Sequence, residues 1–342
     1  MRKLFPGHYM PTEREFESLW KDGIFIFDTN VLLDLYRYSD NTVTSILDAV
    51  ELIKDRIWIP YQVSKEYHKN LNNVISEQVR KYDSTIKTLT DFKKQIDEKR
   101  SHPFLNENLT KEIEVFCEKF DKELDTKKEL VKKLILRNPI KEKIADLTEG
   151  KVGEKFTSEE LLEIYQEGES RYKNQIPPGF SDKSKPSPEK FGDLIFWKEI
   201  LKFNRVTNKP ILLITGDKKE DWYLKELGLT IGPRPELVEE FKKIKDNLLY
   251  IYPTDKFLEY IKEYLKFDID DETIKEVGEF VLENTEHSEA LKNEGFSDKN
   301  ESDIDSDILD ADESDIDSDI LDAHVSDKDF HLEETESEEE SV

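Results

Sequence analysis

Four carboxylates stand where a buried framework would deliver them to solvent. Asp28 ends the run Ile24-Phe-Ile-Phe27, and Asp217 follows Ile211-Leu-Leu-Ile-Thr-Gly216, each a short apolar stretch of β-forming residues. Glu66 falls early in one helical stretch, and Asp193 opens another, Gly192-Asp-Leu-Ile-Phe-Trp197. A carboxylate leaving a buried strand is costly unless something positive meets it. Taken alone, Asp28 suits the N-cap of the next helix as well as it suits a ligand role. Its echo at Asp217, with Glu66 and Asp193 arriving in order between them, favours the ligand.

Acids so scattered converge only if strand ends converge, and converged like charge needs a counter-ion. Hard cations take carboxylate oxygens, so one or two Mg²⁺ or Mn²⁺ ions are expected. Zinc is not, because no histidine or cysteine cluster accompanies the acids. Two such ions, ~3.5–4 Å apart, lower the pKa of an attacking water and stabilise the leaving oxygen of a displacement at phosphorus. Of the six histidines, only His68 lies near a candidate acid, and it reads as an ordinary half-buried side chain.

The elements that must position these acids are legible as alternating patterns. Helical spacing covers Asn41–Lys54, a short strand is expected at Ile57–Ile59 before Pro60, and a long helix is expected from Gln62 to about Lys99. A break at His102–Asn106 precedes a second long helix, its apolar face running from Leu109 to Leu134 and its other positions mostly Lys and Glu. This charged hairpin reads as a solvated arm, since Lys127, Lys128, Lys132 and Lys133 are interleaved with acids. A helix near Ser158–Tyr172 leads to the turn-rich Gln175–Pro188 and then to the Asp193 helix. After Asp217 a helix containing Trp222 and Leu224 is expected, then a helix from Gly232-Pro-Arg-Pro-Glu-Leu237 to about Asp246, a strand at Leu249–Tyr252, and a helix to about Phe267. Strand and helix alternating in this way imply an α/β fold with a central parallel sheet. Trp58, Trp197 and Trp222 read as core residues.

Charge divides the chain. The 342 residues carry a formal net charge of −27, but residues 268–342 hold 30 acids against 4 lysines, leaving 48 acids and 47 bases in residues 1–267. The body is nearly neutral, so overall acidity does not exclude a polyanionic substrate. The acidic segment contains a helical stretch at Glu272–Leu282 and a duplication, Glu301–Ala311 and Glu313–Ala323, at a 12-residue repeat. Low hydrophobicity with high charge predicts a largely disordered tail over 268–342. Such a tail either competes with nucleic acid, at an effective concentration on the order of millimolar, or serves solubility or docking of a protein partner. One cysteine, Cys117, fits a reducing compartment, and no apolar run approaches the ~20 residues of a membrane span. A soluble, cytoplasmic protein is expected, with no membrane contact.

The run Phe27-Asp-Thr-Asn-Val-Leu-Leu33, the segment Thr215-Gly-Asp-Lys-Lys-Glu-Asp-Trp222 and the ordered acids between them resemble the PIN-domain nucleases. Pro177-Pro-Gly-Phe180 with Asp182 and Lys185, Gly192-Asp-Leu-Ile-Phe-Trp197, Gly232–Leu237 and Tyr252–Leu258 bring the resemblance closer to a larger PIN-like branch with a helical insertion. It covers residues 10–267, with the insertion at about 70–175, and implies a three-layer α/β/α PIN-like fold. It also implies an Mg²⁺- or Mn²⁺-dependent endonuclease acting on single-stranded or structured RNA rather than DNA. Asp28, Glu66, Asp193 and Asp217 would ligate metal, with Asp221 behind them or on a second ion. Asn30 and Thr215 would orient ligands, and Lys185, Arg171 and Arg234 would contact phosphate.

Two alternatives belong to other classes. Gly216-Asp-Lys-Lys-Glu-Asp221 satisfies the Gly-Asp-x-x-x-Asp ending of haloacid-dehalogenase-like phosphatases, but Asn30 occupies the place of their general-acid aspartate. A catalytically inactive PIN-like scaffold or nucleic-acid-binding module is the other.

Overall fold

A computed structural model describes residues 1–97, 106–227 and 229–293 of the chain. The expected break around His102 and the duplicated acidic segment lie outside the described residues.

Helix α1 (Glu13–Asp22) opens with a reciprocal capping box, Thr12 with Glu15. It leads directly into strand β1 (Ile24–Phe27) and then α2 (Thr29–Asp34). Ser39 caps α3 (Asp40–Leu52). The two long helices are α4 (Tyr61–Asp97) and α5 (Glu107–Lys133), followed by α6 (Pro139–Thr148) and α7 (Ser158–Lys173). Helix α8 (Gly192–Val206) precedes strand β2 (Ile211–Ile214). Strands β3 (Tyr223–Glu226) and β4 (Leu229–Pro233), helix α9 (Pro235–Ile244), strand β5 (Leu249–Tyr252), and helices α10 (Thr254–Tyr264) and α11 (Asp271–Asn293) complete it.

The central sheet is parallel in the order β1-β2-β5. Every residue of β1 and β2 is buried, so both faces are covered, as an α/β fold with flanking helices requires. Phe25 and Phe27 pack on Phe257 of α10, and Phe25 also meets Trp20 of α1, which stacks on Tyr264. The outer edge of β1 is covered at Ile57, where the expected strand is instead a pair of isolated parallel bridges, Phe25 with Ile57 and Ile59 with Val152.

Helix α4, with 37 residues, is about 55 Å long. Only its first half is anchored in the core, through Val63, Tyr67, Leu71, Val74 and Ile75. Its outer half packs against α5, where Cys117 is buried. Three of the four arm lysines are paired: Lys127 with Asp40, Lys128 with Asp83 and Asp125, and Lys132 with Glu129.

Two expectations change. Trp222–Glu226 is not helical; Tyr223–Glu226 pairs antiparallel with β4 around Leu227, whose φ of 53° makes the turn. The hairpin is short, and its first strand, Tyr223-Leu-Lys-Glu226, has no alternation that would mark it in the sequence. Helix α11 also outruns the expected Glu272–Leu282, and Ile269, Val277 and Val281 join the core beyond position 267. Its Glu276 accepts hydrogen bonds from Ser39 N, Ser39 Oγ and Thr42 Oγ1 at the start of α3.

If α11 is part of the packed body, Val277→Ala should lower the unfolding free energy by roughly 1–3 kcal/mol in urea titration. Truncation after Phe267 should lower it further. Unchanged midpoints in both would mean that the helix contributes nothing to the fold.

Candidate active site

The β1–β2 ladder pairs Phe27 with Ile214, so the two chains leave the sheet side by side. Asp28 N still donates to Ile214 O, and Thr215 N to Tyr252 O. This register places Thr215 Oγ1 2.7 Å from Asp28 Oδ2, to which it donates. Asp28 Oδ1 accepts from Thr29 N at 2.6 Å, so Asp28 does cap α2, while its other oxygen faces the neighbouring strand end. Asn30 ties the two exits together: its Nδ2 donates to Asp28 Oδ2 at 3.0 Å, and its Oδ1 accepts from Gly216 N at 2.8 Å. A Cβ on Gly216 would lie 3.4 Å from Asn30 Oδ1 and from Asp34 Oδ2, so the site is close-packed there. Burial pushes Asp28 up to about 6, against the Thr215 bond that lowers it, and the nearby Asp217 and Glu66 push further.

Glu66, one turn into α4, accepts from Thr29 Oγ1 at 3.2 Å and from Gln62 Nε2. The backbone of Gln62 donates in turn to Glu199 of α8 at 2.9 Å. Helix α8 begins against this carboxylate. A Cβ on Gly192 would come within 2.9 Å of Glu66 Oε1, so glycine permits the approach that delivers Asp193. Asp193 accepts from Trp222 Nε1 at 3.4 Å. Burial raises it well above the ordinary carboxylate range; Lys219 opposes this, and Asp182, Asp217 and Asp221 add to it.

Asp217 is held from both sides by one residue. Lys219 N donates to its Oδ1 at 2.9 Å, and Lys219 Nζ lies 2.9 Å from its Oδ2. The same ammonium is 3.4 Å from Asp182 Oδ1, while Lys185 Nζ is 3.3 Å from Asp182 Oδ2. Burial alone would lower Lys219, but Asp193, Asp217 and Asp182 raise it far above the ordinary lysine range.

The sequence-predicted residues divide accordingly. Asp28, Glu66, Asp193 and Asp217 meet at the carboxyl ends of β1 and β2, with Asn30 and Thr215 between them and Lys185 at the rim. Asp221 lies fully buried under the Pro177–Gly179 turn, its Oδ2 accepting from Gly179 N at 2.9 Å and Ser181 N at 3.2 Å, and its Oδ1 without a hydrogen-bond partner among the described residues. Arg171 is buried and faces another way: it forms a two-pronged pair with Glu240, bonds Glu167, and donates to Pro177 O. Arg234 caps α9 and pairs with Glu236 at 2.8 Å. Trp197 and Trp222 are core residues, and Trp58 stacks on Phe203.

The donor set is carboxylate, hydroxyl and amide oxygen throughout, and the charge on Asp28 and Asp193 is held at a cost that a cation would relieve. Both features fit a hard divalent ion. As the side chains stand, no three acids, histidines or cysteines among the described residues surround one point. Lys219 provides the cationic charge inside the cluster.

Sequence reasoning missed Lys219, Asp182 as a member of the cluster, and the buried acids Asp34 and Glu199. Asp34 follows Asn30 by four residues on α2, the spacing that puts both on one helical face. Burial raises Asp34 to about 6, and Arg37 at 2.9 Å opposes the shift.

Burial raises Glu199 from 4.5 to about 7, with Gln62 N–H opposing and Glu66 adding. The native state therefore holds this proton more tightly, and the stability it contributes is complete below pH 4.5 and lost as pH rises to about 7. Glu199→Gln should gain on wild type over that window, by on the order of 3 kcal/mol, and stay level above it. A flat difference in unfolding free energy across the window would disprove the linkage. Arg171→Ala should cost about 3 kcal/mol, because half-buried Glu240 loses its two-pronged partner and keeps Lys198, at 3.6 Å, as its cation; a loss under about 1 kcal/mol would mean the pair behaves as an exposed one.

No curated protein and no solved structure matches the chain. The PIN-like domain family matches residues 24–237, well over half of the chain and the whole span from β1 to the first turn of α9. That span holds all four converging acids, and domains of this kind are generally nucleases. By this match, and by a parallel sheet that gathers acids at its strand ends, the chain belongs to the PIN-like domain family.

Proposed function

We propose that the chain is a metal-dependent endonuclease of the cytoplasm, hydrolysing phosphodiesters of single-stranded or structured RNA in preference to DNA. The observation that carries this reading is the meeting of Asp28, Glu66, Asp193 and Asp217, from two strand ends and two helix starts, at one edge of the sheet. Mg²⁺ or Mn²⁺ is the fitting cofactor, and these four acids would hold it. Such an ion, when bound, lowers the pKa of an attacking water and offsets charge on the leaving oxygen. The preference for RNA rests on the family resemblance, and no helix among the described residues is long and apolar enough to cross a membrane.

The remaining work falls to the chain. Asn30 and Thr215 aim Asp28 Oδ2 and hold the two exits at fixed separation. Asp221 supports the cluster from behind by anchoring the turn that carries Asp182. Lys185, with a side chain 40% exposed beside Asp182, is the best placed of the three predicted phosphate contacts. Arg234 retains partial exposure, whereas Arg171 acts through the loop it clamps.

A phosphoaspartyl reaction at Asp28 is disfavoured, because the residue two positions on is an amide already committed to Asp28 and Gly216. Purified protein incubated with single-stranded and structured RNA and DNA should cut RNA in Mn²⁺ or Mg²⁺ and nothing in chelator. Asp28→Asn should reduce cleavage roughly a hundredfold or more. Cutting that survives chelator would overturn the metal reading, and no cutting under any condition would leave a nucleic-acid-binding scaffold.

A further inference from the structure

We propose that Lys219 is a resident stand-in for the metal: its ammonium neutralises the cluster until a divalent cation arrives, and that cation must take Asp217 from it. The inference rests on the metal-dependent reading above and deepens it.

Both oxygens of Asp217 are engaged by Lys219, Oδ1 by its backbone N–H and Oδ2 by its ammonium, each at 2.9 Å. While the ammonium remains, Asp217 Oδ2 is taken, and an ion is offered only Oδ1, which already carries the backbone bond. The backbone bond is compatible with ligation, since it fixes the carboxylate's direction without adding a full charge. The ammonium is not, because a divalent ion at Asp217 Oδ2 would face a like charge at contact distance. Its side chain is only about a quarter exposed, so it is a built part of the cluster rather than a surface lysine that happens to reach in.

The structure also supplies a place for the displaced group. Asp182 Oδ1 is already 3.4 Å from Lys219 Nζ, and its other oxygen is paired with Lys185. Released from Asp217 but held by Asp182, Lys219 would join Lys185 on the solvent side of the acids. Two ammonium groups there face the charge that a phosphodiester brings. Metal entry and preparation of a phosphate site would then be one event.

A merely structural lysine and a displaceable one predict opposite signs. Mn²⁺ titration calorimetry on the full chain, with Asp217→Asn subtracted to remove binding by the acidic tail, reads the site. Lys219→Met should bind Mn²⁺ about tenfold more tightly or better, while cutting RNA more slowly; Lys219→Arg should match wild type in affinity. Equal or weaker Mn²⁺ binding by a folded Lys219→Met overturns the proposal and leaves the nuclease reading standing. Wild type that binds no more Mn²⁺ than Asp217→Asn overturns both. A second measurement needs no variant: labelling of Lys219 in wild type by an amine-reactive reagent, read by peptide mass, should rise severalfold when Mn²⁺ is added. Labelling that stays constant while Mn²⁺ binds also overturns the displacement.

Discussion

Pairing of Phe27 with Ile214 in a parallel ladder is the constraint on which the site depends. Side chains alternate along a strand, so a slip of one residue would send Asp28 and Thr215 to opposite faces and break their 2.7 Å contact. The slip is prevented by burial. Ile24–Phe27 and Ile211–Ile214 are apolar on both faces, and the aromatic packing of Phe25 and Phe27 on Phe257 distinguishes one face from the other. Asn30 then reads the register, since its one amide reaches both Asp28 and the Gly216 backbone only when the strand ends are level.

Holding that geometry concentrates negative charge in a place poorly reached by water. Asp28 at about 6 and the raised Asp193 and Asp221 are all held above their ordinary range first by burial and then by neighbouring carboxylates, Asp217 among them in every case. A protein selected only for stability would replace one of them with an amide or an apolar residue. The crowding persists alongside hydrogen bonds that aim rather than neutralise, from Thr29, Asn30, Thr215 and Trp222, and one ammonium that neutralises without filling the cluster. An arrangement of this kind favours occupancy by a stronger cation, which is how the electrostatic cost and the chemistry are connected.

The four acids were legible in the sequence because each sits at a boundary that leaves a pattern: an apolar run ending, or helical spacing beginning. The sheet and the long helices were legible for the same reason. Lys219 was not, since a lysine between Asp217 and Asp221 has no periodicity to place it, and its role comes from Asp182 and Asp193 arriving from other elements. The expected helix around Trp222 and Leu224 is the first strand of a hairpin instead, because Tyr223-Leu-Lys-Glu226 is only four residues and does not alternate. The phosphate contact that the resemblance implies for Arg171 is not made, because its partner Glu240, 69 residues away, is invisible in the local sequence.

That pair shows how remote elements come to determine the acidic cluster. Arg171 at the end of α7 donates to Glu240 of α9 through Nη1 and Nη2, and Nη2 also donates to Pro177 O, while Trp197 Nε1 donates to the same Glu240 at 2.9 Å. The turn is therefore fixed at Pro177 from one side, and at Gly179 and Ser181 by Asp221 from the other. Gly179, at φ 89°, lies under Tyr172 Oη, which a Cβ would approach to 2.4 Å, so the turn admits no larger residue there. Pro177, Pro178 and Gly179 are buried, and Asp182, just past Ser181, is the loop residue that both Lys185 and Lys219 reach. Both lysines bound to Asp182 therefore depend on a clamp built from the opposite side of α8. Loosening the clamp should disturb charge at the site before it disturbs the four strand- and helix-borne acids, which are held by the sheet instead.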